Sequence, residues 1–202
     1  MAENERAEIP HFHELTGVRI ASVQHLADSQ DAQSRFEAIG LSWPLENCTF
    51  AGSDPCVAWR SPTEKLLLSC RGEALAVALA ELSPGKHDTL VATDLSEALS
   101  VHQLSGPQID EWMAHLVDAL SIPSHPGMCK RGRMADVAVF LIRLDAEKLW
   151  LVSDSTIKPY IKNWLEFSFE GAFSNASMRK KIQAYLQNDD PGFGHHRPHS
   201  RR

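Results

Sequence analysis

Apolar and polar positions along the chain follow two different periods. Over 55–70, PCVAWRSPTEKLLLSC, Val57 and Trp59 mark one strand, SPTEK supplies turn residues and LLLS a returning strand; this predicts a β-hairpin. EALAVALAELSPG then reads as a helix rich in Ala and Leu, stopped by Ser83-Pro84-Gly85. DTLVATDLSEALSVHQLSG is extended, either as one long bulged strand or as two short ones. Gly106-Pro107 breaks that run and opens a helix, PQIDEWMAHLVDAL, with Ile109, Met113, Leu116, Val117 and Leu120 on one face. Pro107 suits its first turn, where the missing N–H has no partner to lose. ADVAVFLIRLDAEKLWLVSD predicts a second hairpin with LDAEK as its link. Ser155 is the expected N-cap of a last helix, STIKPYIKNWLEFSF, with Pro159 in its first turn. Upstream, VRIASVQHLADSQDAQSRFEAIGL holds a strand and a short helix.

Hairpin, helix, strand, helix, hairpin, helix is the order of an α+β protein, with helices packed on mixed or antiparallel sheets. Each hairpin is followed by a helix, a faint echo that suggests duplication although the two halves share no sequence identity. Three segments are expected: an N-terminal extension over 1–38, a single α+β domain over 39–176, and a C-terminal segment over 177–202. The last of these ends in DDPGFGHHRPHSRR, which lacks apolar periodicity and reads as a flexible basic, His-rich tail.

The net charge of −6 argues against a nucleic-acid surface. The longest apolar run, Val137 to Ile142, is strand-sized and far short of the ~18 residues of a membrane span. MAENERAEIPHFHEL lacks the apolar stretch of a signal peptide, so a cytoplasmic location is expected.

Candidate chemistry is sparse. The four cysteines, Cys48, Cys56, Cys70 and Cys129, form no C-x-x-C pair and read as small packing residues. No G-x-S-x-G elbow, P-loop or G-x-G-x-x-G fingerprint occurs. Among ten histidines, His11 and His13 alternate as two ligands on one strand face would, and His195, His196 and His199 cluster in the tail without a carboxylate beside them. Asp110 and Glu111 diverge as neighbours on a helix and read as first-turn charges favoured by the helix dipole. Glu97 stands apart. Trp43, Trp59, Trp112, Trp150 and Trp164 border apolar stretches, and Trp112 and Trp164 fall on predicted helices, where an exposed ring would anchor a partner. GMCKRGRMADVAVFLIRL crowds Cys129 against Lys130, Arg131 and Arg133. An exposed thiol there would have a lowered pKa, but no base or oxyanion hole is signalled. Three readings stand: an anion-binding loop, a solvated strand entry, or a rim facing an acidic partner surface. The residues therefore nominate no catalytic, cofactor-binding or metal-binding side chain.

Three stretches in order carry a resemblance. VAWRSPTEKLLLS resembles a W-x-x-P-x-E-x-L-L-L hairpin, and SVHQLSGPQIDEWMAHLVDALSI an L-S-G-P followed by a helix. MCKRGRMADVAVFLIRLDAEKLWLVSDSTIKPYIKNWL resembles a Cys, a basic link, an [LM]-A-D-[VI]-x-V strand, a second strand and an S-x-x-x-Y-x-x-x-W-L helix. The matching residues are Met134, Ala135 and Asp136, then Ser155, Tyr160, Trp164 and Leu165. Together they resemble the gamma subunit of heterotetrameric sarcosine oxidase over about residues 40–170. The family's R-x-S-P-L-type N-terminal segment is missing before residue 38, and the His-rich tail is additional.

That resemblance implies a fold similar to the folate-binding domain of aminomethyltransferases. It implies alpha, beta and delta partner subunits, with FAD, FMN, NAD and tetrahydrofolate held by other chains of the complex. It implies oxidative demethylation of sarcosine, or of a related N-methyl amine or imino acid, with the one-carbon unit passed to tetrahydrofolate. The gamma chain itself is expected to pack against its partners and to hold no cofactor. Two rivals remain: a free-standing folate-binding protein related to aminomethyltransferases, and a small adaptor domain.

Overall fold

The computed structural model describes residues 10–26, 29–82 and 89–168. Ten strands form two five-stranded sheets among these residues, and every pairing is antiparallel. The strands are β1 (His11–Glu14), β2 (Arg19–His25), β3 (Phe50–Ala51), β4 (Cys56–Ser61), β5 (Glu64–Ser69), β6 (Leu90–Asp94), β7 (Leu99–Ser105), β8 (Cys129–Met134), β9 (Val137–Asp145) and β10 (Lys148–Asp154). The helices are α1 (Ser29–Ala38), α2 (Glu73–Glu81), α3 (Ile109–Ala114) and α4 (158–168). Sheet A runs β1-β7-β10-β9-β8 and sheet B runs β3-β4-β5-β2-β6.

Strand alternation builds four layers from three apolar clusters. Leu66 and Leu68 of β5 face Phe140, Ile142, Trp150 and Val152 of sheet A across the space between the sheets. Leu67 points the other way, into the cluster of α1 and α2 with Phe36, Leu75 and Leu82. Leu141, Leu149 and Leu151 lie on the outer face of sheet A, under Trp112 and Met113 of α3 and Ile161 and Leu165 of α4. Strands buried on both faces read as near-continuous apolar runs, which is why LLLS and VFLIRL do not alternate.

The faint echo in the sequence has a structural counterpart. β1-β2-α1-β3-β4-β5-α2 and β6-β7-α3-β8-β9-β10-α4 are two copies of one element order. Strands at equivalent positions line up identically in the two sheets, except that each unit lends its first strand to the other: β1 pairs with β7 and β6 with β2. The exchange ties the two sheets into one body. A Cβ at Gly106, whose φ is +118°, would meet Pro10 Cα at 2.7 Å, so glycine in LSGP lets the entry of β1 lie against the end of β7.

The α+β class, both hairpins and the helix after each agree with the sequence reading. Several boundaries differ. Within the expected extension over 1–38, the described strand β2 is part of the sheets: it sits between β5 and β6, and Ala21 and Val23 are core residues. The extended region, described over 89–106, is two strands, one in each sheet. CKRGRM is itself strand β8, joined to β9 by a two-residue turn at Ala135 and Asp136, both at positive φ as a type I′ hairpin requires. α3 stops at Ala114, leaving Leu116 and Val117 buried in the following turn and Leu120 85% exposed; Pro107 lies in the turn before the helix. Asp154, not Ser155, caps the turn before α4, accepting from Thr156 N–H at 2.8 Å. The tail over 177–202 lies outside the described residues.

Arg143 is the one buried charged side chain of β9, 1% exposed. It donates to the backbone carbonyls of Pro123 at 3.2 Å and Ala146 at 3.1 Å and pairs with Asp110. Asp110, expected only to favour the helix dipole, thus anchors α3 to sheet A. Asp110→Ala leaves a buried guanidinium without its counter-ion and should cost about 2–3 kcal/mol in denaturant unfolding. Arg143→Met removes the charge together with its desolvation and should cost less.

Candidate functional site

α4 is apolar on two faces. Ile161, Leu165 and Ser168 recur at helical spacing and pack inward, with Ser168 Oγ accepting from the Trp112 indole N–H at 2.7 Å. Tyr160, Trp164 and Phe167 recur at the same spacing on the other side and are 41%, 37% and 71% exposed. Their rings stack edge-to-face, with centroids 6.3 Å and 6.1 Å apart. Tyr160 Oη donates to the carbonyl of Ala135 at 2.9 Å, which fixes the stripe against the β8–β9 turn. The motif residues of the last stretch therefore converge. Ala135 and Asp136 form the turn, Met134 and Leu165 lie beneath in the core, Tyr160 and Trp164 are displayed, and Ser155 Oγ donates to the Glu97 carbonyl at 2.7 Å. A row of exposed aromatics on a rigid, docked helix is the chemistry of a protein-binding surface.

The two helical tryptophans part company. Trp112 is 1% exposed, its ring 5.9 Å from that of Phe12, and it is core. Trp164 is the ring available to a partner.

The basic cluster beside Cys129 is dispersed by strand alternation. It is neither a loop nor a turn. Cys129 is fully buried between the sheets, and its Sγ donates to the carbonyls of Thr49 at 3.2 Å and Trp59 at 3.3 Å. Burial pushes its pKa to about 12, and burial does the same to Cys56. Neither is a thiolate nucleophile at neutral pH. Alkylation of the native protein at neutral pH should mark exposed Cys70 and spare Cys56 and Cys129, as read by peptide mass spectrometry. Lys130 turns to the helix side and donates to the carbonyls of Leu120 at 3.0 Å and Ile122 at 3.2 Å. Arg133 donates to the carbonyl of Asp136, within its own hairpin. Arg131 has no hydrogen bond or ion pair among the described residues.

Sheet B carries a buried cation that the sequence did not single out. Lys65 is 2% exposed, with Nζ 4.6 Å from the centroid of Trp43 and donating to the Ser61 carbonyl at 3.4 Å. Trp43 is held edge-on by Phe36 at 5.0 Å and by His25 at 5.5 Å. Burial lowers the Lys65 pKa from 10.5 to about 8, against the pull of the ring on the cation. Below about 8 both folded and unfolded chains hold the proton and the burial penalty stands in full. Between about 8 and 10.5 only the unfolded chain holds it, so stability rises with pH across that window. Lys65→Met should abolish this rise, measured as denaturation midpoints at stepped pH.

His11 and His13 do share a strand face, their rings stacked 6.5 Å apart. Among the described residues no group of three His, Cys, Asp or Glu is placed to hold a metal ion. Asp110 is committed to Arg143, and Glu111 lies beside it on α3. No helix among the described residues is long and apolar enough to cross a membrane. His195, His196 and His199 lie outside the described residues.

Comparison with known proteins places the fold. No protein-family model matches the chain, and no curated protein matches it by sequence. A chain of the heterotetrameric sarcosine oxidase from Corynebacterium sp. U-96 superposes with a TM-score of 0.70 at 20% identity, covering 83% of this chain and 89% of that one. The glycine cleavage system aminomethyltransferase T from Bartonella henselae superposes with a TM-score of 0.55 at 10% identity over 78% of this chain. The present chain spans 45% of that second protein's length. The resemblance seen in the sequence thus holds as a shared fold.

Proposed function

We propose that this chain is a non-catalytic, gamma-type subunit of a sarcosine-oxidase-like flavoenzyme in the cytoplasm. The observation that carries the reading is the likeness over nearly the whole length of a chain from a heterotetrameric sarcosine oxidase. Two features of the site support it. The Cys129 thiol beside the cations and the Cys56 thiol are buried and protonated, and the one display of aromatic side chains described above faces outward on α4. Its work is to bury that face against a partner chain; a standard interface of roughly 1,600 Å² in total is within reach of a domain this size. Alpha, beta and delta partners would hold FAD, FMN, NAD and tetrahydrofolate. There the N-methyl group of sarcosine, or of a related secondary or tertiary amine, would be oxidised and its carbon passed to the folate.

The likeness to an aminomethyltransferase supports a second reading, a free-standing folate binder. Among the clefts that open on the described surface are two of about 200 and 250 Å³. Both are smaller than the ~300–1,000 Å³ usual for a ligand of folate's size. Titration of the isolated chain with tetrahydrofolate separates the readings: the subunit reading expects no saturable binding, and stoichiometric binding would favour the rival.

A further inference from the structure

The sandwich of two sheets is not sealed at both ends. Apolar side chains fill its middle, but past Phe140 and Val152 the sheets part into a cleft of about 200 Å³. Its floor is Leu66, Leu99, Phe140 and Val152, and its mouth carries Arg60 from sheet B and Arg131 and Asp154 from sheet A. Register accounts for the placement: Arg131 lies opposite Phe140, and Phe140 opposite Val152, along one row of the inter-sheet face.

The charges at this mouth differ in their commitments. Arg60 Nη1 donates to Glu64 Oε1 at 2.8 Å, and the same carboxylate oxygen accepts from Ser22 Oγ at 2.6 Å. Asp154 accepts from Thr156 N–H at 2.8 Å and Thr156 Oγ1–H at 2.7 Å, and those bonds hold its carboxyl below the usual range. Arg131 is left, exposed and without a partner among the described residues, at the edge of an apolar floor. Its neighbours in β8 are all engaged: Cys129 with two carbonyls, Lys130 with two, Arg133 with one.

We propose that this inter-sheet cleft binds a small organic monocarboxylate, its carboxylate on the Arg131 guanidinium and its short apolar body over Phe140 and Val152. A guanidinium presents parallel N–H donors that match a planar carboxylate, which favours that group over a bulkier dianion. The volume equals about six or seven waters at ~30 Å³ each, room for a few-carbon acid and not for a multi-ring ligand. The apolar floor gives a tail a reason to enter that an inorganic anion lacks. All groups of the site belong to this chain, so its presence does not depend on the assembly proposed above.

Butyrate is the probe, titrated into the full chain by heteronuclear NMR at constant ionic strength, with butyramide as its neutral counterpart and chloride as the plain anion. Saturable shifts at Phe140 and Val152 with butyrate are expected, with butyramide and chloride at least 10-fold weaker. Arg131→Gln should weaken butyrate at least 10-fold without moving the thermal midpoint, since the side chain has no bond among the described residues. Arg133→Gln, a cation of the same strand face, should leave binding unchanged. The proposal is overturned by non-saturable shifts, by equal binding of butyramide or chloride, or by equal losses in the two arginine variants, which would mean diffuse positive charge and no site.

Discussion

Trp112→Ala should destabilise the fold by about 3–5 kcal/mol, the range for emptying a buried aromatic site. The ring is 1% exposed and packs among Leu104, Leu116, Ile161 and Leu165 between α3, α4 and sheet A. Its loss would leave a cavity that the sheet, paired on both sides at β10, has no freedom to collapse into. It would also take from buried Ser168 Oγ the indole N–H that it accepts at 2.7 Å, leaving its own bond to the Leu165 carbonyl at 3.2 Å. Trp112→Phe fills most of the space and loses only the hydrogen bond, so about 1–2 kcal/mol is expected. Urea unfolding of the two variants reads the difference. A Trp112→Ala midpoint within error of wild type would show that the ring is not core.

Trp164→Ala should behave in the opposite way. The ring is 37% exposed and its aromatic contacts among the described residues are Tyr160 and Phe167, so the isolated chain should lose less than ~1 kcal/mol. Association with partner chains should weaken by at least ~2 kcal/mol, roughly 30-fold, because a central aromatic anchor is a hot spot. Phe167→Ser should add to that loss and Val77→Ser, exposed on α2 beyond sheet B, should not. Reconstitution monitored by analytical ultracentrifugation gives the comparison. Unaltered assembly of a well-folded Trp164→Ala chain would move the interface away from α4.

The two tryptophans show what the sequence could and could not convey. Both stand on predicted helices among apolar neighbours. The sequence of α4 does contain the distinction: Ile161, Leu165 and Ser168 repeat with one phase, and Tyr160, Trp164 and Phe167 with a phase shifted by one residue. A helix with two apolar phases must leave one of them outside unless both are packed, but which one faces the sheet is a tertiary fact. The hairpins were legible because VAWR–LLLS and VAVFLIRL–LWLVSD carry strand composition on both arms with polar links. β8 was not, because CKRGRM sets three cations and a glycine on a strand whose faces are a helix-side clamp and the open end of a sandwich. Gly132 has its own reason, since a Cβ there would lie 2.9 Å from Ser121 Cβ.

Exchange of β1 and β6 between the sheets was beyond reach for a different reason. HFHE and LVATD look alike as short edge strands, and nothing local decides which sheet they join. For the same cause residues before 38 look separable from the domain in sequence, while β2 is paired on both sides in sheet B. Arg143 and Lys65 stand in the sequence as single charges in apolar runs. Their partners, Asp110 on α3 and Trp43 before β3, lie far away in sequence. That Cys129 is no exposed thiolate was legible in part: no motif surrounds it, and its burial between the sheets supplies the physical reason.

The most direct test of the central claim is native mass spectrometry of the tagged full chain isolated gently from its own cells, with a visible spectrum of the same sample. A yellow complex carrying three further polypeptides is the expected result. A colourless monomer near 22.5 kDa that folds stably alone would contradict it.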